Sequence, residues 1–350
     1  MIAAPELPPT LAPLTLPPPA VDAAQGAAWA EQYWGLRVTN ARLLSGEKDA
    51  NVLLDLAGGG RRLLKVGHAR ESLPLLDMQA ALMAQVARAG GPRVPQVLPA
   101  AGGRGIVPVT VDGEACPARL LTWIDGRPLF EHPASPALRR GLGTLAGQMI
   151  AATAGFAHPA AMHPLAWDVA QAPALRSLAE AVAPAAFRPV LLALFNRLAA
   201  PATRALLAAL PRQVAHNDLN PHNVIVPDDP AAGLALIDFG DSVRTFRIAE
   251  VAVALAYTLG DGAGWEEDAA HMLAGAFAAF APDPAEIEAL ALLVETRLAL
   301  SVLIPHWRAA RYPQDAAYIL RNAGRAAAAL SAMEDGGRAR LDALVRGAAA

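Results

Sequence analysis

The apolar positions change character once along the chain. Between Leu36 and Ile124 they fall in short runs separated by turn signals. Asn51 to Leu56 and Arg61 to Val66 flank Gly58-Gly59-Gly60, and Gly105 to Val111 and Ala115 to Trp123 flank Asp112-Gly113; each pair predicts a hairpin. Between the hairpins, Leu75, Leu76, Met78, Leu82, Met83 and Val86 fall mostly on one face of a helix over about Glu71 to Ala89, which Gly90-Gly91-Pro92 ends. After Asp125-Gly126-Arg127-Pro128 the pattern is different. Ser135-Pro136 supplies a capping serine and a proline at the first helical position, and most of the chain beyond it is Ala/Leu-rich helix. Two short apolar runs interrupt it, Asn223 to Val226 and Leu234 to Ile237, and predict a small hairpin on the helical part.

The predicted architecture is α+β and two-lobed. A small antiparallel-sheet lobe over 21–122 carries one inserted helix. A hinge near Leu121 to Gly126 leads to a larger helical lobe over 123–350, and a ligand is expected in the cleft between them. Residues 1–20 are proline-rich, carry Glu6, and have neither a basic start nor an apolar centre. They predict a disordered tail and not a secretory signal.

Composition narrows the function classes. The chain has 350 residues, a formal net charge of -3, 54% hydrophobic and 17% charged residues, which suits a compact globular protein with a large core. The balance gives no electrostatic footprint for nucleic acid. The longest apolar stretch, Ala289 to Ile304, contains Glu295 and Arg297, so it reads as a core helix and not a membrane span. The one cysteine, Cys116, cannot form an internal disulfide, and a cytoplasmic setting is expected.

The candidate chemistry begins at His216-Asn217-Asp218-Leu219-Asn220-Pro221-His222-Asn223. Phosphoryl transfer needs a carboxylate beside the attacking hydroxyl and oxygen ligands for magnesium. Asp218 is the expected base and Asn223 the expected metal ligand. Taken alone, the segment also reads as a turn held by local side-chain caps. Asp238-Phe239-Gly240 follows the second apolar run at a spacing that turns this loop into a phosphotransfer signature, with Asp238 on the metal. Lys65, in Leu63-Leu64-Lys65-Val66, is the expected phosphate lysine. It calls for an acid on the next helix, Asp77 in preference to Glu71. Ser45 and Gly46 open a loop that could cover the phosphates, and an ordinary polar turn is an equal reading. In the helical part Trp167, Asp241 and Arg297 stand out. Arg297 either meets a substrate carboxylate or is buried against Glu295 or Glu250. Asp241 supports the metal or faces a substrate amine. No cysteine–histidine cluster suggests zinc.

These stretches, with Leu75-Leu76-Asp77-Met78-Gln79, Arg119 to Pro128 and Ala249 to Ala254, resemble the aminoglycoside phosphotransferase family, whose fold is similar to that of protein kinases. The resemblance covers about Trp34 to Leu320. It implies transfer of the γ-phosphate of GTP or ATP, with Mg2+, to a small hydroxylated amine. An amino-acid-like acceptor is favoured, 5-hydroxy-L-lysine first. By motif position Asp218 matches the family's base, Asn223 and Asp238 its metal ligands, and Lys65 its phosphate lysine. Leu121 to Trp123 match the hinge that meets the nucleobase. Two positions depart from the pattern: Asn217 stands where the family usually has glycine, and Asp77 where it usually has glutamate.

Overall fold

A computed structural model describes residues 16–46, 48–259 and 264–350. Most of the expected tail, and Glu47 of the Ser45–Asp49 loop, lie outside the described residues.

The chain enters through a helix the apolar pattern did not predict, α1 (Ala23–Trp34). A capping box starts it: the Asp22 carboxylate accepts from the Gln25 N–H and the Gln25 side chain accepts from the Asp22 N–H. Six strands follow, β1 (Val38–Leu44), β2 (Ala50–Leu56), β3 (Arg61–Val66), β4 (Val97–Leu98), β5 (Val107–Val111) and β6 (Glu114–Thr122). Their order is β1-β2-β3-β6-β4, β5 also pairs with β6, and every pairing is antiparallel. The register sets Lys65 opposite Asn51 on one side and Arg119 on the other. Both hairpins fall where the turn glycines predict them.

The helix α2 (Leu73–Arg88) lies between β3 and β4. Its buried residues Met78, Leu82, Met83 and Val86 join Leu142, Leu145 and Met149 in the larger of two main core clusters, while Val52, Leu64, Val66 and Leu120 form a separate core in the sheet. The inserted helix therefore shares its apolar face with the helical part of the molecule and fastens the sheet to it.

Beyond β6 come the short β7 (Arg127–Pro128) and then α3 (Pro136–Ala152), where Ser135 caps the Leu138 N–H at 3.3 Å. Helices α4 (Arg176–Ala181), α5 (Arg188–Ala199) and α6 (Pro201–Ala209) lead to four strands: β8 (Arg212–Ala215), β9 (Val224–Val226), β10 (Ala235–Leu236) and β11 (Val243–Phe246). β9 and β10 form the predicted hairpin, and β7 adds to its edge. β8 and β11 pair separately. Together the two ladders brace the loops 216–223 and 238–242. The rest is helical: α7 (Ala249–Thr258), α8 (Trp265–Ala279), α9 (Pro284–Arg311), α10 (Ala316–Ile319), α11 (Ala323–Ala332) and α12 (Arg338–Ala349). α3 and α8 cross at glycine contacts. A Cβ on Gly143 would sit 1.8 Å from the Met272 carbonyl, and one on Gly275 would sit 2.0 Å from that of Arg140, so only glycine allows the approach.

The long apolar stretch is α9, a buried helix, as its two interior charges required. Glu295 is buried in ion pairs with Arg197 at 3.1 Å and Arg338 at 3.6 Å. Among the described residues no single helix is long and apolar enough to cross a membrane.

Candidate active site

The loop between β8 and β9 is fixed from below by a buried carboxylate. Glu250, in the first turn of α7, accepts from the backbone N–H groups of His216 and, at 3.3 Å, Asn217. Burial pushes its carboxyl up to about 7, against the pull of those two donors. Asn217 adopts a left-handed conformation, φ 66°, which asparagine tolerates better than most residues. The loop thus keeps its turn without the family's glycine. The asparagine amide is wholly buried, and neither its Nδ2 nor its Oδ1 has a hydrogen-bond partner among the described residues.

His216 ties this loop to the strand that carries Asp238. Its Nδ1 accepts from the Asp218 N–H at 3.2 Å, so the proton lies on Nε2, which donates to the Ile237 carbonyl at 3.1 Å. Its ring meets Phe239 edge-on, with centroids 4.7 Å apart. Burial lowers the imidazole to about 4, so it stays neutral and holds one tautomer.

Asp218 sits at the centre of the site. Its carboxylate accepts from Asn223 Nδ2 at 2.7 Å, Asn220 Nδ2 at 2.8 Å and Arg297 Nη2 at 3.2 Å. Burial, reinforced by Asp241, raises it to about 6, although Arg297 and Asn220 oppose the shift. A carboxylate near that value accepts a proton readily at neutral pH. The Asn223 amide spends its nitrogen on Asp218, which leaves its Oδ1 as the remaining acceptor of that side chain.

Asp238 is held at φ 60° at the end of β10, and its Oδ1 accepts from the Gly240 N–H at 3.2 Å and from Lys65 Nζ at 3.3 Å. The Lys65 ammonium holds this carboxyl well below the usual range. A positive φ on a non-glycine residue is costly and concentrates at functional positions.

The acid expected for Lys65 is not where α2 was predicted to supply it. Asp77 is 73% exposed on the side chain and meets His158 at 3.1 Å. Its place is taken by Asp49, from the loop before β2, which lies 3.1 Å from Lys65 and 3.7 Å from Arg119. Two physical facts explain the difference. Asp77 lies beside the buried Leu76 and Met78 on α2 but points outward, whereas Asp49 is drawn between two buried cations, Lys65 at 9% and Arg119 at 3% exposure. Glu71 lines the same cavity without an ion pair to Lys65, and burial raises its carboxyl.

Arg297 is not buried against Glu295 or Glu250. It is wholly buried on α9, donates to the Trp167 carbonyl at 2.7 Å and to Asp218, and lies over the rings of Trp167 at 5.0 Å and Tyr257 at 5.9 Å. It meets neither Glu295 nor Glu250; its Nη2 donates to Asp218, and its Nε has no hydrogen-bond partner among the described residues. Asp241 is paired with Lys48 at 2.7 Å, a contact from the loop before β2 to the loop after β10. Burial works against the Lys48 charge, but Asp241 and Asp238 more than offset this and hold the ammonium above its usual value.

One cavity of about 830 Å³ gathers Ser45, Gly46, Lys65, Asp218, Asn223 and Asp238, together with Trp167, Asp241 and Arg297. Leu121 and Trp123 do not line it. Leu121 is buried opposite Leu63 and Val97, and Trp123 lies under the guanidinium of Arg61 at 5.4 Å. Gly46 has a structural need for glycine, since a Cβ there would lie 2.3 Å from the Asp49 carbonyl.

Lys48, Asp49, Asn220 and Tyr257 are site residues that sequence reasoning missed. The first two belong to a polar loop whose charges have no periodic signal, and only the fold brings them to Asp241 and Lys65.

Known proteins resemble this chain in sequence and in fold. The bovine (Bos taurus) hydroxylysine kinase is 26% identical over 344 residues, covering 91% of each chain. A microcompartment-associated aminopropanol kinase superposes with a TM-score of 0.69 at 18% identity, covering 89% of this chain and 97% of its own. An amicoumacin kinase, solved in complex with AMP-PNP, Ca2+ and Ami, superposes at a TM-score of 0.64 with 16% identity, over 85% and 91% of the two chains. These likenesses place the sheet-plus-helices architecture among kinase-like folds. Residues 40–290 match the phosphotransferase enzyme family, and the chain belongs to that family as a small-molecule kinase.

Proposed function

We propose that this kinase transfers the γ-phosphate of GTP or ATP to a hydroxyl of a small amino-acid-like acceptor, with 5-hydroxy-L-lysine the first candidate. The observation that carries the chemistry is the convergence of Asp218, Asn223, Asp238 and Lys65 on one cavity. Similarity to hydroxylysine kinases over nearly the whole chain supports the acceptor. The buried single cysteine suits a cytoplasmic enzyme.

Asp218 would receive the acceptor's hydroxyl proton, with its carboxylate oriented by Asn220, Asn223 and Arg297. The ionised Asp238 and the Oδ1 of Asn223 offer two oxygen ligands, a set that fits Mg2+, which takes one or two protein carboxylates and completes its shell with phosphates and water. When bound, the metal would neutralise charge on the transferring phosphoryl group. Lys65, kept charged and in place by Asp49, would hold the donor phosphates.

The test is an acceptor screen of 5-hydroxy-L-lysine and several amino alcohols against both nucleotides, with Asp218→Asn as the control. Acceptor-dependent nucleotide consumption that disappears in the variant supports the reading. Equal turnover in the variant would remove Asp218 from the role of base.

A further inference from the structure

Two lysines act on the carboxylate of Asp238. Lys65, on β3, meets it at 3.3 Å and meets Asp49 at 3.1 Å. Lys48, from the loop before β2, is held separately. Its Nζ lies 2.7 Å from Asp241 Oδ1, and the charges of Asp238 and Glu71 reach it as well. The proposed reaction employs Lys65 and leaves Lys48 without a chemical role.

The residues around Lys48 are anchored. Asp49 is drawn between Lys65 and Arg119. Asn51 Nδ2 donates to the carbonyls of Ser45 and Asp49, each at 3.4 Å. A Cβ on Gly46 would lie 2.4 Å from that same Nδ2, so the loop packs this closely only with glycine there. Lys48 thus extends into the cavity from a fixed neighbour. Its ammonium has donors to spare. Asp241 is its one hydrogen-bond acceptor among the described residues, and an ammonium carries three donors. The side chain is about one-third exposed and lines the cavity, so the other donors are open to a ligand.

Their partners separate the two lysines by task. Asp241, which holds Lys48, is the acid whose charge most raises Asp218, the proposed base. Lys65 is tied instead to Asp49, beside Arg119 of the sheet. Lys48 therefore lies toward the base and Lys65 toward the sheet, and Asp238 feels both.

Resting on the phosphotransfer reading above, we infer that Lys48 is a second phosphate-binding residue, one that contacts the γ-phosphoryl group being transferred while Lys65 holds the rest of the donor. In the step, the acceptor oxygen bonds to the γ-phosphorus as the bond from that phosphorus to the β,γ-bridging oxygen breaks. The hydroxyl proton passes to Asp218, and the nucleoside diphosphate leaves with the bridging oxygen. Lys48 stays protonated throughout. Charge in this transition state is spread over three equatorial oxygens, and a compact ammonium with rotatable donors can meet them without leaving Asp241.

The experiment is calorimetric titration of the full chain, with Mg2+, against ADP and its β,γ-imido triphosphate, the guanosine pair being run in parallel. Lys48→Met should weaken the triphosphate at least fivefold and the diphosphate less than twofold, the diphosphate reporting that the site is still folded. Lys48→Arg should recover part of the loss. Removing Lys48 also leaves Asp241 without its partner, so a second variant combines Lys48→Met with Asp241→Asn. The selective loss should persist there. A loss that disappears in the double variant, equal weakening of both probes, or no weakening of either overturns the inference. Failure of the reaction is distinguishable. A chain that binds the triphosphate through Lys48 but never consumes nucleotide with an acceptor would refute the phosphotransfer reading and leave the contact standing. A chain that transfers phosphate while Lys48→Met keeps full triphosphate affinity would do the reverse. Failure of the wild type to bind either nucleotide overturns both.

Discussion

The guanidinium of Arg297 lies 3.2 Å from the carboxylate of Asp218, inside the protein and stacked against Trp167. It opposes the burial that raises Asp218 to about 6, so it would set the pH at which Asp218, the proposed base, is available. Below that value Asp218 is protonated and cannot accept a proton. The kcat/KM profile should therefore fall about tenfold per unit on its acid limb below about pH 6. Arg297→Met removes the opposing charge, so the acid limb should move to higher pH, and kcat should drop by at least about tenfold. Arg297→Lys should recover part of both effects. An unmoved limb in the methionine variant would show that Arg297 does not act through Asp218.

Asp49 holds Lys65 and Asp77 does not, and this predicts a contrast between two aspartates. Asp49→Asn should raise the nucleotide KM at least fivefold, because Lys65 and Arg119 would then repel one another across a buried site. Asp77→Ala should leave nucleotide KM and kcat within about twofold, since that carboxylate is exposed and meets only His158 among the described residues. Steady-state kinetics with varied nucleotide checks both.

Asn217 and Glu250 make opposite predictions for stability. Asn217→Gly relieves a left-handed backbone and removes a buried amide without partners among the described residues, so it should stabilise the fold by about 1 kcal/mol. Asn217→Ala keeps the strained Cβ and should gain less. Glu250→Gln loses an acceptor for one of two buried N–H groups and should cost about 1–3 kcal/mol. Denaturant unfolding of the three variants orders them, and a glycine variant less stable than the alanine variant would contradict the assignment of strain to Asn217.

The pairing of Lys48 with Asp241 joins the loop before β2 to the loop after β10. Lys48 is about one-third exposed, so its loss should change global stability by less than about 1 kcal/mol. Lys48 also lines the cavity that holds Lys65. Lys48→Met should accordingly raise the nucleotide KM several-fold while thermal unfolding stays nearly fixed. A fall in Tm with unchanged KM would assign the pair to the fold alone.

Much of this protein is set by local sequence. Period, glycine turns and a proline start place both hairpins, α2, α3 and the β9–β10 hairpin, because these depend on neighbours a few residues apart. The spacing from Asp218 through Asn223 to Asp238 is local in the same sense, since one loop, one hairpin and one strand end bring the three together. Tertiary structure decided what long-range packing controls. α1 carries little periodic signal and is held by the sheet it covers. Asp49 replaces Asp77 because the ion pair of Lys65 depends on where a polar loop falls in space and not on its distance along the chain. Arg297 meets Asp218, and not Glu295 or Glu250, because α9 passes beneath the 216–223 loop, where a buried cation is stable only beside a carboxylate.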